Sequence, residues 1–200
     1  MKKFLSIFLV LVLVLSALSV FAGCVDKDDD KDDKKDNKKD NTTVVTTTEA
    51  VTTAPQAPAG YKLYNGDGFY IAYPETWADS GLTSMILFQN ASTGSSFNIV
   101  SEAKTDVYDN MTVASFNSTY KPIYEQMGMN VSNAKVDYET IDGVKVLNLS
   151  FDAVMNGVSM KMAQFVFTLG ENTYSITVSE VSGADSGVAV KMFESLGFEK

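Results

Sequence analysis

One thiol in 200 residues is the first place to look for chemistry. Cys24 is the only cysteine, and it closes an apolar run at Val20-Phe21-Ala22-Gly23-Cys24. A thiol can carry a thioether, and an unpaired cysteine in an exported chain calls for an explanation. The other absences narrow the chemistry further, because the chain has no histidine and no arginine. Without imidazole there is no Ser-His-Asp triad and no imidazole general base. Without histidine or a second cysteine there is no ordinary zinc site, no disulfide and no thiol catalysis in the rest of the chain. A glycine-rich phosphate loop is missing too. What remains are carboxylates. Glu102, Asp106 and Asp109 lie close together in sequence and could support a carboxylate-dependent hydrolase, although solvated loop charges are the simpler reading. A Ser-Lys pair is open on the same terms, with no sequence signature. Met155, Met160 and Met162 could line a lipid or small-ligand pocket, since methionine adapts to irregular apolar shapes. Core packing explains them equally well. No catalytic residue, metal site or cofactor is expected.

The elements that position Cys24 are at the N-terminus. Lys2 and Lys3 give a positive start, and residues 4–22 are apolar except for Ser6, Ser16 and Ser19. The length approaches a membrane span, but the flanks and the small-residue end are those of a cleaved signal. Small Ala22 and Gly23 let a peptidase approach the backbone. The segment resembles a bacterial lipoprotein signal, with Phe21, Ala22 and Gly23 as the lipobox and Cys24 as the lipidation site. Residues 1–23 are then the signal peptide. The resemblance implies a partner in the membrane lipid itself and a position on the extracytoplasmic face of the cell membrane. Each buried methylene contributes about 0.8 kcal/mol, so two or three acyl chains hold firmly. Two other readings compete: ordinary cleavage after Val20-x-Ala22, giving a freely secreted protein, and an uncleaved membrane helix.

Residues 24–59 read as acylated cysteine plus tether. From Asp26 to Asp40 the chain carries eight Asp and six Lys and nothing apolar, so it cannot bury enough surface to offset its ordering entropy. The interleaved lysines compete for the carboxylates, which disfavours a metal site. Thr42 to Thr53 is rich in threonine, and Pro55 and Pro58 follow, a composition that suits an extended linker and an O-glycosylated stalk. A flexible chain of this length averages on the order of 30–35 Å end to end.

Residues 60–200 have globular composition and the size of one domain. They carry eight Lys against sixteen Asp and Glu, and the whole chain has a net charge of −9. An acidic surface repels phosphate backbones, so nucleic acid is not an expected partner. Strands are expected first. Tyr61 to Tyr64 and Phe69 to Tyr73 flank an Asn65-Gly66-Asp67-Gly68 turn, read as a hairpin and not as a calcium loop. Pro74 ends the second strand, Trp77 is a core aromatic, and Met85 to Gln89 and Ser96 to Val100 follow. The period then becomes helical over Val113, Phe116, Tyr120, Ile123, Tyr124 and Met127. Thr112 is placed as N-cap and Gly128 as stop, and Pro122 predicts a kink. Val131 to Thr140, an alternating strand through Leu147, Leu149 and Phe151, Val158 to Leu169, and Thr173 to Glu180 complete the strands. A bulge near Ala163 would reconcile an apolar phase shift in the third of these. A last helix is expected to start within Ser182 to Asp185 and to stop at Gly197. The fold class is α+β, an antiparallel β-sheet flanked by helices.

Gly68-Phe69-Tyr70-Ile71-Ala72-Tyr73-Pro74-Glu75-Thr76-Trp77 resembles the opening of PsbP-like domains. Ile141-Asp142-Gly143 before a strand, Tyr174-x-Ile176-Thr177 and the closing Ser195-Leu196-Gly197-Phe198 fit the same pattern in order. The resemblance covers nearly all of residues 61–198 and implies an α-β-α sandwich. The family includes extrinsic photosystem proteins, a nuclear-transport cofactor and many bacterial lipoproteins; its known members share binding or assembly and not catalysis. The expectation is a membrane-anchored, non-enzymatic binding or assembly module with an envelope protein as its partner.

Overall fold

A computed structural model describes residues 55–82, 85–183 and 185–199. Cys24, its lipobox residues Phe21, Ala22 and Gly23, and the tether up to residue 54 lie outside the described residues. Two antiparallel sheets organise the rest. Seven strands form the larger one, in the order β3-β4-β5-β9-β8-β7-β6, and three form the smaller, in the order β1-β2-β10. The strands are β1 (Tyr61–Asn65), β2 (Phe69–Pro74), β3 (Ala78–Asp79), β4 (Ile86–Gln89), β5 (Ser96–Ala103), β6 (Met129–Ile141), β7 (Val144–Met155), β8 (Val158–Leu169), β9 (Asn172–Val181) and β10 (Gly197–Phe198). Helices cover both faces of the larger sheet, and the α+β expectation holds.

Each face of the large sheet has its own core. Phe116, Tyr124, Leu149, Phe151 and Met160 build one beneath the long helix. Phe69, Phe97, Phe165, Ile176 and Met192 build the other, beneath the C-terminal helix and the small sheet. β8 serves both, since Ala163, Phe165 and Phe167 point into one core and Met160, Met162 and Val166 into the other. Its change of apolar phase therefore marks where the second face becomes covered. The register of β8 runs unbroken against β7 and β9, so the bulge expected near Ala163 is absent. The irregularity lies instead in β6 between Ser132 and Lys135, where Asn133 adopts φ 53°.

The long helix begins where Thr112 and Ser115 form a reciprocal capping box. It runs as α1 (Val113–Ser115), a π turn (Phe116–Tyr120) and α2 (Lys121–Gln126). Pro122 explains the middle piece. Its ring has no N–H and would collide with the carbonyl of Ser118 in a regular helix. The turn before it widens instead, with the Lys121 N–H donating to the Phe116 carbonyl five residues back. The irregularity expected at Pro122 is thus absorbed as a π turn. Gly128 (φ 79°) ends the helix as expected, donating to the Glu125 carbonyl at 2.9 Å.

The first hairpin forms as expected; its left-handed residue is Gly68 (φ 79°), while Gly66 must be glycine because a Cβ there would collide with the Phe69 ring. Two local expectations are corrected. The final helix, α3 (Val188–Glu194), starts later than Ser182 to Asp185. Gly197 joins β10, which pairs with Tyr70 and Phe69 of β2 and adds the second sheet. Trp77 is buried as expected, stacking toward Phe97, with no partner for its Nε1–H.

Candidate binding trough

An open trough of about 790 Å³ lies between α3 and strands β6, β7 and β8. It exists because α3 packs on β2 and β9 and leaves the outer strands of that face uncovered. The floor is the polar half of the alternation in β7, with Asn148 and Ser150 between the buried Leu147, Leu149 and Phe151. The wall is one side of α3, where Val190, at 61% exposure, is the most exposed large apolar residue described. Ala163, Phe165 and Phe193 form the apolar centre.

A buried carboxylate sets the position of the wall. Gly187 (φ 83°) stands at the N-terminus of α3 and offers no side chain to cap it. Glu180 of β9, only 5% exposed, supplies the cap by accepting from Gly187 N–H at 3.3 Å and Ala189 N–H at 2.5 Å. Asp185 is tied down nearby, accepting from Thr93 Oγ1 at 2.6 Å and from Asn90 Nδ2. Lys191 lies over the Tyr61 ring on the opposite flank of α3. Burial first, then the Glu180 and Asp185 charges, push the Tyr61 phenol up from its ordinary value.

Charge in the trough is sorted by end. Lys135 and Lys161 line it beside Ser150 and Gly187, whereas Glu139 and Glu194 line it beside Ile141 and Leu196. The register fixes this, because Lys161 pairs across strands with Asp152 and Glu180, at the end of α3 where Glu180 caps. The far end of α3 runs into β10, whose Phe198 N–H donates to Asp142 Oδ2. Asp152 accepts from Asn133 Nδ2 at 2.7 Å, and Glu180 is committed to α3. Among the described residues the ion pair is Lys121–Glu125, so neither trough lysine has a carboxylate within salt-bridge distance.

The residues singled out from sequence are arranged differently. Glu102 lies near the Tyr108 hydroxyl, and burial first, then this carboxylate's charge, pushes the Tyr108 phenol well up from its ordinary value. Asp106 and Asp109 are exposed in the following loop and joined through backbone, with Asp109 N–H donating to the Asp106 carbonyl. Among the described residues no three metal-ligating side chains gather. Met155, Met160 and Met162 pack into the helix-side core. The cavity beneath that helix is about 20 Å³, room for one water. Of the three, only Met162 also borders the trough. Sequence reading missed the trough and Glu180, although a glutamate in phase with the inward Tyr174, Ile176 and Val178 was a visible signal.

Two covered faces, the helix-strand order and the short closing sheet define an α+β domain of the PsbP-like kind. Cyanobacterial PsbP (CyanoP) from Synechocystis is similar over 74% of this chain and 98% of its own, with a TM-score of 0.52 at 15% identity. At that identity the likeness is one of fold. LpqN of Mycobacterium tuberculosis, described as involved in cell envelope biogenesis, is more loosely similar, with a TM-score of 0.43 and 15% identity over 70% of this chain and 91% of its own. No family model matches the sequence, and no curated protein matches it. Among the described residues no helix is long and apolar enough to cross a membrane.

Proposed function

We propose that this chain is a membrane-anchored, extracytoplasmic lipoprotein whose domain acts as a non-enzymatic binding or assembly module. The anchor reading is carried by Cys24, the sole thiol, at the small-residue end of a signal-like run. The acyl groups on Cys24 hold the chain to membrane lipid, and the tether lets the domain search for an envelope protein partner near that surface. The binding reading is supported by the trough, whose volume falls in the range of ligand sites and whose lysines have no counter-ion. A small-ligand carrier is the second reading, and the trough, not the methionine cluster, is the feature that favours it. Catalysis by Glu102, Asp106 and Asp109 has less behind it, since Glu102 is half-buried near Tyr108 while the two aspartates face solvent.

The test is to express the full chain in a bacterial host, crosslink intact cells and identify neighbours recovered from the membrane fraction, beside Cys24→Ser. The wild type is expected in the membrane with a specific partner, and Cys24→Ser in the soluble fraction without it. A Cys24→Ser protein that stays membrane-bound overturns the anchor. An anchored wild type with no neighbour overturns the assembly reading and leaves the carrier.

A further inference from the structure

We infer that the trough is a site for a short, extended, zwitterionic peptide, a ligand class that deepens the binding reading above and rests on it. Three observations converge. The first is the placement of charge along the strands, with Lys135 and Lys161 toward the end where Glu180 caps α3, and Glu139 and Glu194 toward the end at Ile141 and the last turn of α3. The second is their spacing. Lys135 and Glu139 stand four residues apart on the same face of β6, so their Cα atoms are about 13 Å apart along the strand. An extended peptide advances by the same increment per residue, so a chain of about four residues spans the two ends. The third is the lining between them, which is apolar on the α3 side and amide or hydroxyl on the floor at Asn148 and Ser150.

A peptide placed there sets its terminal carboxylate by Lys135 and Lys161 and its ammonium by Glu139 and Glu194. Apolar side chains rest on Val190 and Phe193, and backbone groups face the polar floor. An anionic lipid would meet Glu139 and Glu194, and also Asp137 between Lys135 and Glu139 on the same face of β6. A purely cationic ligand would meet the two lysines. Only a ligand with one charge at each end satisfies both.

The test uses the full chain and the tetrapeptide alanyl-leucyl-leucyl-alanine with free termini, beside its N-acetylated and its C-amidated forms, followed by calorimetry and by NMR shifts at Ser150 and Val190. The free peptide is expected to bind and to move those resonances, and each blocked form to bind about fivefold more weakly, the scale of one exposed ion pair. In Lys135→Gln/Lys161→Gln the penalty for amidation disappears while that for acetylation remains; Glu139→Gln/Glu194→Gln does the reverse. These four residues are solvent-facing, and unchanged circular dichroism certifies the fold of each variant. Equal binding of all three peptides, or none at millimolar concentration, overturns the inference. Either result leaves the membrane partner of the crosslinking experiment untouched.

Discussion

Single side chains carry this domain's sharpest energetic commitments, and Glu180 is the clearest. It is a buried carboxylate whose two oxygens are spent on backbone N–H groups of α3. Hydrogen bonds to charged groups contribute about 1.5–3 kcal/mol each, and leaving the amides unpaired costs more than replacing them. Glu180→Ala should therefore destabilise the domain by about 3 kcal/mol in urea unfolding, with faster amide exchange at Gly187 and Ala189. Glu180→Gln keeps an acceptor and should lose less. Equal losses for the two would show that the cap is not the cause. Tyr124 makes a different commitment. Burial, and after it the neighbouring Tyr120 phenol, raises its phenol well above the ordinary value. The folded state holds this proton to higher pH than the unfolded chain, whose tyrosines titrate near about 10. The stability it contributes is complete below pH 10 and is lost as pH rises beyond it. Melting temperature should be level from pH 8 to 9 and fall above 10, and Tyr124→Phe should make that fall shallower at little cost at pH 7. An unchanged slope in the variant would assign the alkaline loss elsewhere.

Elements were legible where one local rule governs them. Thr112, Gly128 and Pro122 announced the helix, its end and its irregularity, because capping, left-handed backbone and a missing N–H act within a turn. The alternation of Leu147, Leu149 and Phe151 announced β7 and, through Asn148 and Ser150, the floor of the trough. The misreadings arose where a distant element decides. β8 looked bulged because its second face is covered by residues far away in sequence. Gly197 looked like a helix stop because nothing local says that β2 will pair with it. The trough depends on where α3 ends, which no periodicity records. Gly66 makes the same point testably. Its glycine is required by the fully buried Phe69 ring and not by a positive φ. Gly66→Ala should cost about 2 kcal/mol by overpacking, measured by thermal unfolding. A neutral result would mean that the hairpin can shift to make room.

At the scale of the whole molecule, five of the acidic domain's eight lysines have defined places. Lys121 pairs with Glu125, Lys145 sits over Tyr138, Lys191 lies over Tyr61, and Lys135 and Lys161 both line the trough. Exposed carboxylates outnumber them elsewhere, so the net field and the trough's lysine end differ in sign.

The small sheet has a temporal consequence. Its first two strands come at the start of the domain, but its third is β10, and the Ala72 N–H waits for Ser195 Oγ, 123 residues on. Closing so long a loop costs entropy that only the finished contact returns. A partially emerged chain thus has β1 and β2 as a lone hairpin, marginal in water. Phe69 is then without Phe167, and Phe167 without the edge of Phe198. The domain therefore cannot lock until its last strand has emerged and paired with β2.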